Sequence, residues 1–380
     1  MFVLDDDRQQ LKEAAAEAAR EILGETLKED DEAERFRKDY MRELGEAGLC
    51  GIPTPEDYEG LGLGYLDYAV ALEEIAKVSA SYGVSVAVTG LPQVILATYG
   101  SDAQKAQWLS GLAKGELLGA FALSEPGSGS DAGSLKTTAK KDGDTYILRG
   151  TKFWITHGGE ADLYVVMART GGEGPKGISS FLVPGDSPGL SFGKKEEKMG
   201  LRSSPTVELI LDDVRIPAEN LLSEEGSGFR IAMSALDSGR ITIAAISVGL
   251  AQAALDVAAD YACQRKQFGQ AIIDFQGVGF MLADMAMRIE SARLLVHKAA
   301  WLRDEGLPYS QIAAMAKCLS TDAAMAVTTD AVQVLGGYGY TREYPVERFM
   351  RDAKVMQIVE GTNQVQRLVI SRNLRRSYGD

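Results

Sequence analysis

The sequence predicts a mainly α-helical protein with a central β domain. Helical periodicity covers the first third of the chain, short β-rich runs fill the middle, and long amphipathic Ala-rich segments make up the rest. With 380 residues, of which 45% are hydrophobic, the chain can form two or three domains, each with its own core. We place these domains at residues 1–119 (helical), 120–222 (β) and 223–380 (helical bundle).

The first domain is predicted to be built from amphipathic helices. In residues 7–23, small and aliphatic side chains recur on one face, opposite Glu and Arg residues. The same periodicity covers residues 66–79, 84–99 and 103–114. Prolines and glycines between residues 53 and 64 indicate a loop between the first two of these helices.

The residue composition changes near residue 120. Runs rich in β-branched and aromatic residues, separated by turns that contain Gly, Pro and Asp, predict a compact antiparallel β domain. These runs cover residues 145–148, 163–167, 178–183 and 207–211. After Pro217 the helical pattern returns, and four long segments joined by short connections predict a bundle. The segments are 227–264, 275–304, 309–335 and 362–376.

Composition excludes several kinds of function. A net charge of −14 argues against nucleic acid as a partner, because phosphate binding needs a basic surface. Only two histidines are present, His157 and His297, so a His-based metal site and a Ser-His-Asp triad are both disfavoured. The three cysteines are far apart and indicate neither disulfides nor zinc. An enzyme of this composition must rely on carboxylates or on a cofactor, and we expect no metal.

No membrane or targeting segment is expected. The longest charge-free apolar stretches span about 15 residues, as in 241–255, whereas a membrane helix needs roughly 20. The N-terminus carries Asp5, Asp6 and Asp7 in place of a basic leader. A cytoplasmic protein without membrane insertion is therefore predicted.

Glu360 is the one charged residue in the otherwise uncharged run 355–364. Burial beside Ile358 and Val359 would raise its pKa from about 4.3 towards neutrality, which suits a general base. Gly361 interrupts the helical pattern, and Thr362 or Asn363 can cap the helix that follows. On this segment alone, a solvated Glu at a helix end is the commoner arrangement.

Three other segments have both a functional and a structural interpretation. The Gly- and Ser-rich run 122–134 offers donors to phosphate or flavin oxygens, although most such runs are plain loops. Trp154 and Thr156 would share one side of a strand and suit a flat cofactor ring, although a core Trp is more common. The glycines of 333–340 either end a helix or face a cofactor or a neighbouring subunit.

In their order and spacing, these segments resemble the acyl-CoA dehydrogenase family of flavoproteins, and the resemblance is strongest to its short-chain (butyryl-CoA) members. It covers essentially the whole chain. The segments that carry it are 122–131, 154–156, 194–200, 264–269, 336–340 and 359–362.

The resemblance implies an N-terminal helical domain, a middle β-barrel and a C-terminal four-helix bundle in a homotetramer that binds FAD. It also implies oxidation of a short-chain acyl-CoA to the trans-2-enoyl-CoA, as in fatty acid β-oxidation, with an electron-transfer flavoprotein as acceptor. Glu360 matches the base that removes the α-proton while hydride goes to flavin N5, and its backbone N–H would hold the thioester oxygen. The compartment would be the bacterial cytoplasm, or the mitochondrial matrix for a eukaryotic chain whose presequence is removed.

By the same resemblance, Ser124 and Thr156 should bond the flavin ring, with Trp154 against its face and Ser130 at the pyrophosphate. Arg265, Gln267 and Phe268 should reach the FAD of a neighbouring subunit. The full set of expected FAD contacts is Leu123, Ser124, Gly129, Ser130, Trp154, Thr156, Arg265, Gln267, Phe268, Gln276, Gln333, Gly336, Gly337, Thr362 and Gln364. The expected substrate contacts are Ser130, Asp237, Arg240 and Gly361.

Two positions refine these expectations. Long-chain and isovaleryl-type members carry their base one residue before the arginine that matches Arg240; here that residue is Gly239, which leaves Glu360 as the candidate. His157 stands where related sequences often have Asn, and it either tunes the flavin or is a satisfied or surface histidine. The alternative functions are a short branched-chain (isobutyryl- or 2-methylbutyryl-type) dehydrogenase, an acyl-CoA oxidase, whose chains are usually much longer, and a non-catalytic acyl-CoA-binding relative.

Overall fold

A computed structural model describes residues 3–379 and arranges them as helices, then a sheet, then helices. The predicted fold class, mainly α with a central β domain, is confirmed. The four N-terminal helices expected from periodicity are present, together with two short ones of six and nine residues that span too few turns to show a clear pattern. The helices are α1 (Asp6–Leu23), α2 (Leu27–Glu32), α3 (Lys38–Glu46), α4 (Tyr65–Val78), α5 (Ala80–Tyr99) and α6 (Asp102–Ala113).

An eight-stranded sheet forms the middle of the molecule. Its strands are β1 (Gly119–Ala122), β2 (Thr138–Asp142), β3 (Thr145–Thr156), β4 (Leu163–Arg169), β5 (Ile178–Pro184), β6 (Leu190–Phe192), β7 (Thr206–Pro217) and β8 (Leu221–Leu222). They are ordered β6-β7-β3-β2-β4-β5-β8, with β1 beside β4. The four predicted runs are β3, β4, β5 and β7. The others are very short or, like β2 (Thr-Ala-Lys-Lys-Asp), mostly polar, so they lack the expected composition.

The expectation of a wholly antiparallel sheet was wrong at β4, where β1 and one residue pair of β2 are parallel partners. The cause is topological, because β1 enters the sheet directly from the N-terminal helices and not through a hairpin. The other strand pairs of this sheet among the described residues are antiparallel.

The C-terminal part contains the four predicted long helices and additional short elements. The helices are α7 (Gly228–Gln264), α8 (Gln276–Asp304), α9 (Ser310–Leu335), α10 (Gly337–Tyr340), α11 (Val346–Met356) and α12 (Asn363–Tyr378), and the hairpin β9 (Lys266–Gln267) with β10 (Gln270–Ala271) lies between α7 and α8. Helix α7 packs against α4, α5, α8, α9 and α11, so it joins the two helical parts.

Two helices, α5 and α7, are long and apolar enough to cross a membrane by length and composition. Helix α5 lies in the charge-free run 78–101, so the expectation that such stretches span about 15 residues was wrong. In this fold, however, 83% and 78% of their most apolar windows are buried inside the protein. Burial of this kind is typical of core helices, and here both helices contact other elements of the same chain.

Candidate active site

Glu360 lies in the joint between α11 and α12, where the chain leaves helical geometry. Glu360 and Gly361 both have left-handed backbone, with φ of 54° and 85°. Gly adopts this conformation freely, whereas for Glu it costs on the order of 1–3 kcal/mol, and such strain concentrates at functional sites. Thr362 caps α12 by accepting a hydrogen bond from the Val365 N–H at 3.2 Å, so of the two candidate caps in the sequence it is Thr362 that serves. The Glu360 N–H makes no hydrogen bond within residues 3–379.

The carboxyl group of Glu360 points inward. The residue keeps part of its surface, but its Oε2 is fully sheltered and has no hydrogen-bond partner among the described residues. Burial raises the pKa of Glu360 to about 7, against the opposing positive charges of Arg240 and Lys317. A solvated Glu at a helix end, favoured by the segment alone, is thus not what the fold contains.

Gly239 lies next to this carboxyl group. A Cβ atom added at Gly239 would lie 2.5 Å from Oε2 of Glu360, which is closer than real contacts allow. Residue 239 of α7 and residue 360 after α11 therefore converge on one point in space. The absence of a side chain at one position makes room for the carboxylate from the other.

Arg240 follows on α7 and is 6% exposed. Its guanidinium donates a hydrogen bond to Asp237, which also accepts one from the Ser310 hydroxyl at 3.0 Å. Burial raises the pKa of Asp237, and the Arg240 charge opposes that shift. The Nε of Arg240 is buried without a partner among residues 3–379, so one of its donors remains free.

Two residues that the sequence analysis did not single out hold the Glu360–Gly361 turn. The Nζ of Lys317, on α9, donates to the Gly361 carbonyl and to Asn363 Oδ1, both at 2.9 Å. Nε2 of Gln366 donates to the carbonyls of Glu360 at 3.0 Å and Gly361 at 2.8 Å. Lys317 is a lone charge in the Ala-rich run 311–321, which is the kind of signal that drew attention to Glu360.

The Gly- and Ser-rich run forms an open turn after β1. Glu125 and Ser128 exchange backbone hydrogen bonds at 3.0 and 3.1 Å, and an added Cβ at Gly127 or Gly129 would meet nothing within 4 Å. The Ser124 carbonyl accepts the Phe153 N–H at 2.9 Å, which ties this turn to β3. The glycines here leave space above the backbone.

A buried ion pair fixes the same turn, and the sequence analysis missed it. Lys152 is fully buried, and its Nζ donates to Glu125 Oε1 at 2.8 Å and to the Leu123 carbonyl at 3.1 Å. The second carboxylate oxygen of Glu125 accepts the Lys136 N–H at 2.6 Å. Despite its burial, the pKa of Glu125 is lowered, because Lys152 and these hydrogen bonds together outweigh desolvation.

Trp154 is 59% exposed and has a positive φ of 62°, at the point where the β3–β7 register shifts between Lys152 and Ile155. The alternative of a core Trp was therefore wrong. Ile155 is buried, while Trp154 and Thr156 on either side of it keep exposure, so an open indole stands near a hydroxyl.

The second glycine cluster ends a helix, as one of its two interpretations expected, and it borders an open cavity. Gly336, with φ of 60°, ends α9, and its N–H reaches the Val332 carbonyl at 3.0 Å. Beside it lies an open cavity of about 520 Å³ whose lining includes Arg265, Gln267 and Gly337. Phe268 is 95% exposed.

The remaining predicted contacts are dispersed over the surface. Gln276, Gln333 and Gln364 are exposed on α8, α9 and α12, and their side chains form no hydrogen bond within the described part of the chain. Ser130 is exposed in the Gly- and Ser-rich turn. Apart from these three glutamines, the predicted residues lie in three places: the Ser124–Trp154 surface, the Arg265 cavity and the Glu360 joint.

His157 is fully buried, so it is not a surface histidine. Its Nδ1 lies 3.1 Å from the Gly119 carbonyl, while Nε2 has no partner among residues 3–379. Burial lowers the pKa of His157 to about 4, so the ring is neutral near pH 7.

Comparison with known proteins accounts for almost the whole chain. Three family models match in order: the acyl-CoA dehydrogenase N-terminal domain at residues 5–116, the middle domain at 120–214 and the C-terminal domain at 226–375. The short-chain specific acyl-CoA dehydrogenase of Rattus norvegicus mitochondria is 47% identical over 377 residues, which are 99% of this chain and 92% of that protein.

Solved structures of related proteins have the same fold. Butyryl-CoA dehydrogenase from Megasphaera elsdenii superposes with a TM-score of 0.96 and 46% identity, covering 98% of this chain and 99% of the other. A second solved chain comes from a study of the electron transferring flavoprotein of Acidaminococcus fermentans and flavin-based electron bifurcation. It superposes with a TM-score of 0.97 and 49% identity, covering 99% of this chain and 100% of the other. With matching domains, order and full-length identity, the chain belongs to the acyl-CoA dehydrogenase family.

Proposed function

We propose that the protein oxidises a short-chain acyl-CoA to the trans-2-enoyl-CoA, with FAD as cofactor and an electron-transfer flavoprotein as acceptor. The observation that carries the proposal is the Glu360 joint, where a sheltered carboxyl oxygen and an uncommitted backbone N–H belong to one residue. Family membership and the short-chain relative support the reaction class.

In this mechanism the Glu360 carboxylate removes the α-proton of the thioester. A base with a pKa near 7 is partly ionised at working pH, and it gains basicity from its burial. The Glu360 N–H donates to the thioester oxygen and so stabilises the negative charge that develops there. Bound FAD supplies the hydride acceptor for the β-carbon.

The residues present fit this cofactor. The exposed Trp154 indole offers a flat apolar face, and the open turn at Gly127 and Gly129 leaves backbone accessible to polar oxygens. We assign the ring to Ser124, Trp154 and Thr156. The other contacts carried by the resemblance, which we keep as proposals, are Leu123, Gly129, Ser130, Arg265, Gln267, Phe268, Gln276, Gln333, Gly336, Gly337, Thr362 and Gln364, and the substrate contacts are Ser130, Asp237, Arg240 and Gly361.

We further propose a homotetramer. Phe280, Met287 and Leu294 of α8 are exposed at seven-residue spacing, and this apolar stripe suits burial against a second copy of the chain. The domain limits 1–119, 120–222 and 223–380 stay our proposal, as does a location in the bacterial cytoplasm, or in the mitochondrial matrix for a eukaryotic chain.

The test is an anaerobic titration of the Glu360→Gln variant with butyryl-CoA, following flavin absorbance. Glu360→Gln should keep FAD but lose reduction by about 10²–10⁴-fold, the usual contribution of a general base. Glu173→Gln, in an exposed loop, is the matched control and should bleach normally. Reduction of Glu360→Gln near the wild-type rate would refute the assignment.

Substrate range is read in the same titration of the wild type with straight acyl-CoAs of graded length and with isobutyryl- and 2-methylbutyryl-CoA. Fastest reduction by butyryl-CoA supports the short straight-chain proposal, and fastest reduction by a branched acyl-CoA replaces it. A colourless protein that does not take up added FAD would favour the non-catalytic alternative, and rapid oxygen uptake during turnover would favour an oxidase.

A further inference from the structure

We infer that Lys317 is a positioning residue for the reaction: its buried ammonium holds the Glu360–Gly361 turn so that the Glu360 carboxylate and N–H serve one substrate. The inference deepens the proposed function and rests on the role of Glu360 in it. It starts from contacts on α9, a helix that supplies none of the groups proposed to touch the acyl-CoA thioester.

Helix α9 holds the C-terminal side of the turn. Lys317 Nζ bonds the Gly361 carbonyl and Asn363 Oδ1, as described above. Nδ2 of Asn363 donates in turn to Thr321 Oγ1 at 2.9 Å and to Asp322 Oδ1 at 2.7 Å. Positions 317 and 321 are one helical turn apart and share a face of α9, and Asp322, the next residue along, also reaches Asn363. The joint between α11 and α12 is thus fastened to α9 through the Gly361 carbonyl and the Asn363 side chain.

A packing role does not explain a lysine at this position. Lys317 is fully buried, and moving an ammonium out of water is costly unless it is paired and hydrogen-bonded. An apolar side chain of similar length, such as Met, would fill the same space without that cost. The lysine supplies two directed hydrogen bonds, to a backbone carbonyl and to the first residue of α12, and a positive charge near the base.

The charge acts on Glu360 together with that of Arg240. Glu360 faces Lys317 from α9 and Arg240 from α7, and Arg240 is partly neutralised by Asp237. Lys317 itself faces Glu360, Asp322, Cys318 and Arg240. Burial lowers the pKa of Lys317 to about 8, with the Glu360 carboxylate opposing that shift, so the ammonium is mostly charged at pH 7. Its loss removes one of the two cations that favour ionised Glu360.

The experiment compares Lys317→Met and Lys317→Gln with the wild-type holoenzyme. Hydrogen exchange of peptides covering residues 357–366, measured without substrate, should become faster in Lys317→Met, while flavin content stays at the wild-type level. The rate of flavin reduction by butyryl-CoA should fall by about 10²-fold, because a base displaced by about 1 Å loses that much, and KM should change less than kcat. Lys28→Met, an exposed lysine on α2, is the control and should match wild type in every readout.

The pH profile of kcat/KM gives an independent readout. Glu360 acts when ionised, so activity rises with pH through its pKa. Removing the Lys317 charge raises that pKa, and the acid limb should move to higher pH by about one unit in both variants. Lys317→Gln keeps an amide donor and serves if Lys317→Met does not fold.

Wild-type exchange in 357–366 together with an unmoved acid limb would overturn the inference. If the proposed function itself were wrong, Glu360→Gln would reduce flavin at the normal rate. The hydrogen-exchange measurement would then still test whether Lys317 holds the turn.

Discussion

Glu360 and Gly239 form the central pair at the residue scale. The carboxyl oxygen of Glu360 occupies the place where a side chain at Gly239 would begin, 2.5 Å from the position of its Cβ. The two positions are far apart in sequence, and the resemblance implies a base at one or the other. Steric exclusion explains this choice, because the pocket holds a side chain from one of them only.

Gly239→Ala should therefore impair the reaction without removing the base. The added methyl group pushes the Glu360 carboxylate aside, and a displacement of about 1 Å costs about 10²-fold in rate. Flavin reduction by butyryl-CoA under anaerobic stopped flow measures the loss, with FAD content as the check on folding.

Gly83→Ala on α5 is the matched control for that substitution. It also adds one methyl group to a buried helical glycine, but the nearest atom, Cγ1 of Ile246, is 3.4 Å away. Its reduction rate should stay within about twofold of wild type. Equal rates in Gly239→Ala and wild type would contradict the steric account.

At the scale of elements, the turn after β1 depends on strand β3. Lys152 of β3 binds both the Leu123 carbonyl and the Glu125 carboxylate, and Phe153 binds the Ser124 carbonyl. This arrangement places the proposed flavin segment against the irregular end of β3 that carries Trp154. A buried ion pair thus sets the distance between the two halves of one surface.

Lys152→Met should destabilise the protein by about 3–5 kcal/mol, because it leaves the Glu125 charge buried and uncompensated. Chemical denaturation measures the loss, and the ratio of flavin to protein after gel filtration should fall as the turn loosens. The double variant Lys152→Met/Glu125→Gln removes both charges and should recover part of the stability. A single variant as stable as wild type would show that the pair contributes little.

Elements were predictable where periodicity ran over several turns and not where it was short. Residues 228–264 carry enough turns for the pattern to predict α7. Helix α11 has 11 residues, with charged Glu, Arg, Asp and Lys side chains between its apolar positions, so it was missed. Yet α11 sets where the chain reaches Glu360, and its end point depends on contacts with α7 and α9.

For the whole molecule, helix α7 connects the domains, and α8 carries the apolar stripe that we propose as the assembly surface. The exposed stripe on α8 and the fully exposed Phe268 indicate that one chain leaves apolar area uncovered. The resemblance assigns Arg265, Gln267 and Phe268 to the FAD of a neighbour. In that arrangement, FAD binding and assembly of the subunits depend on each other.

Met287→Glu should shift the protein from tetramer to smaller species and lower its FAD content, because a carboxylate at the centre of the stripe would be buried without a partner. Light scattering coupled to gel filtration measures the mass, and absorbance measures the flavin. Val3→Glu, which adds the same charge at an 85% exposed position, should leave both unchanged. A tetrameric Met287→Glu protein would place the interface elsewhere.

The sequence by itself determined the fold class, the long helices, a cap at Thr362 or Asn363 and the candidate base. These depend on local periodicity, on turn chemistry and on one acidic residue in an apolar run. Tertiary structure alone decided that Glu360 is sheltered, that it lies over Gly239, and that Lys317 and Gln366 hold its turn. The physical reason is that burial, charge pairing and steric exclusion depend on which distant segments meet, and local patterns do not encode those meetings.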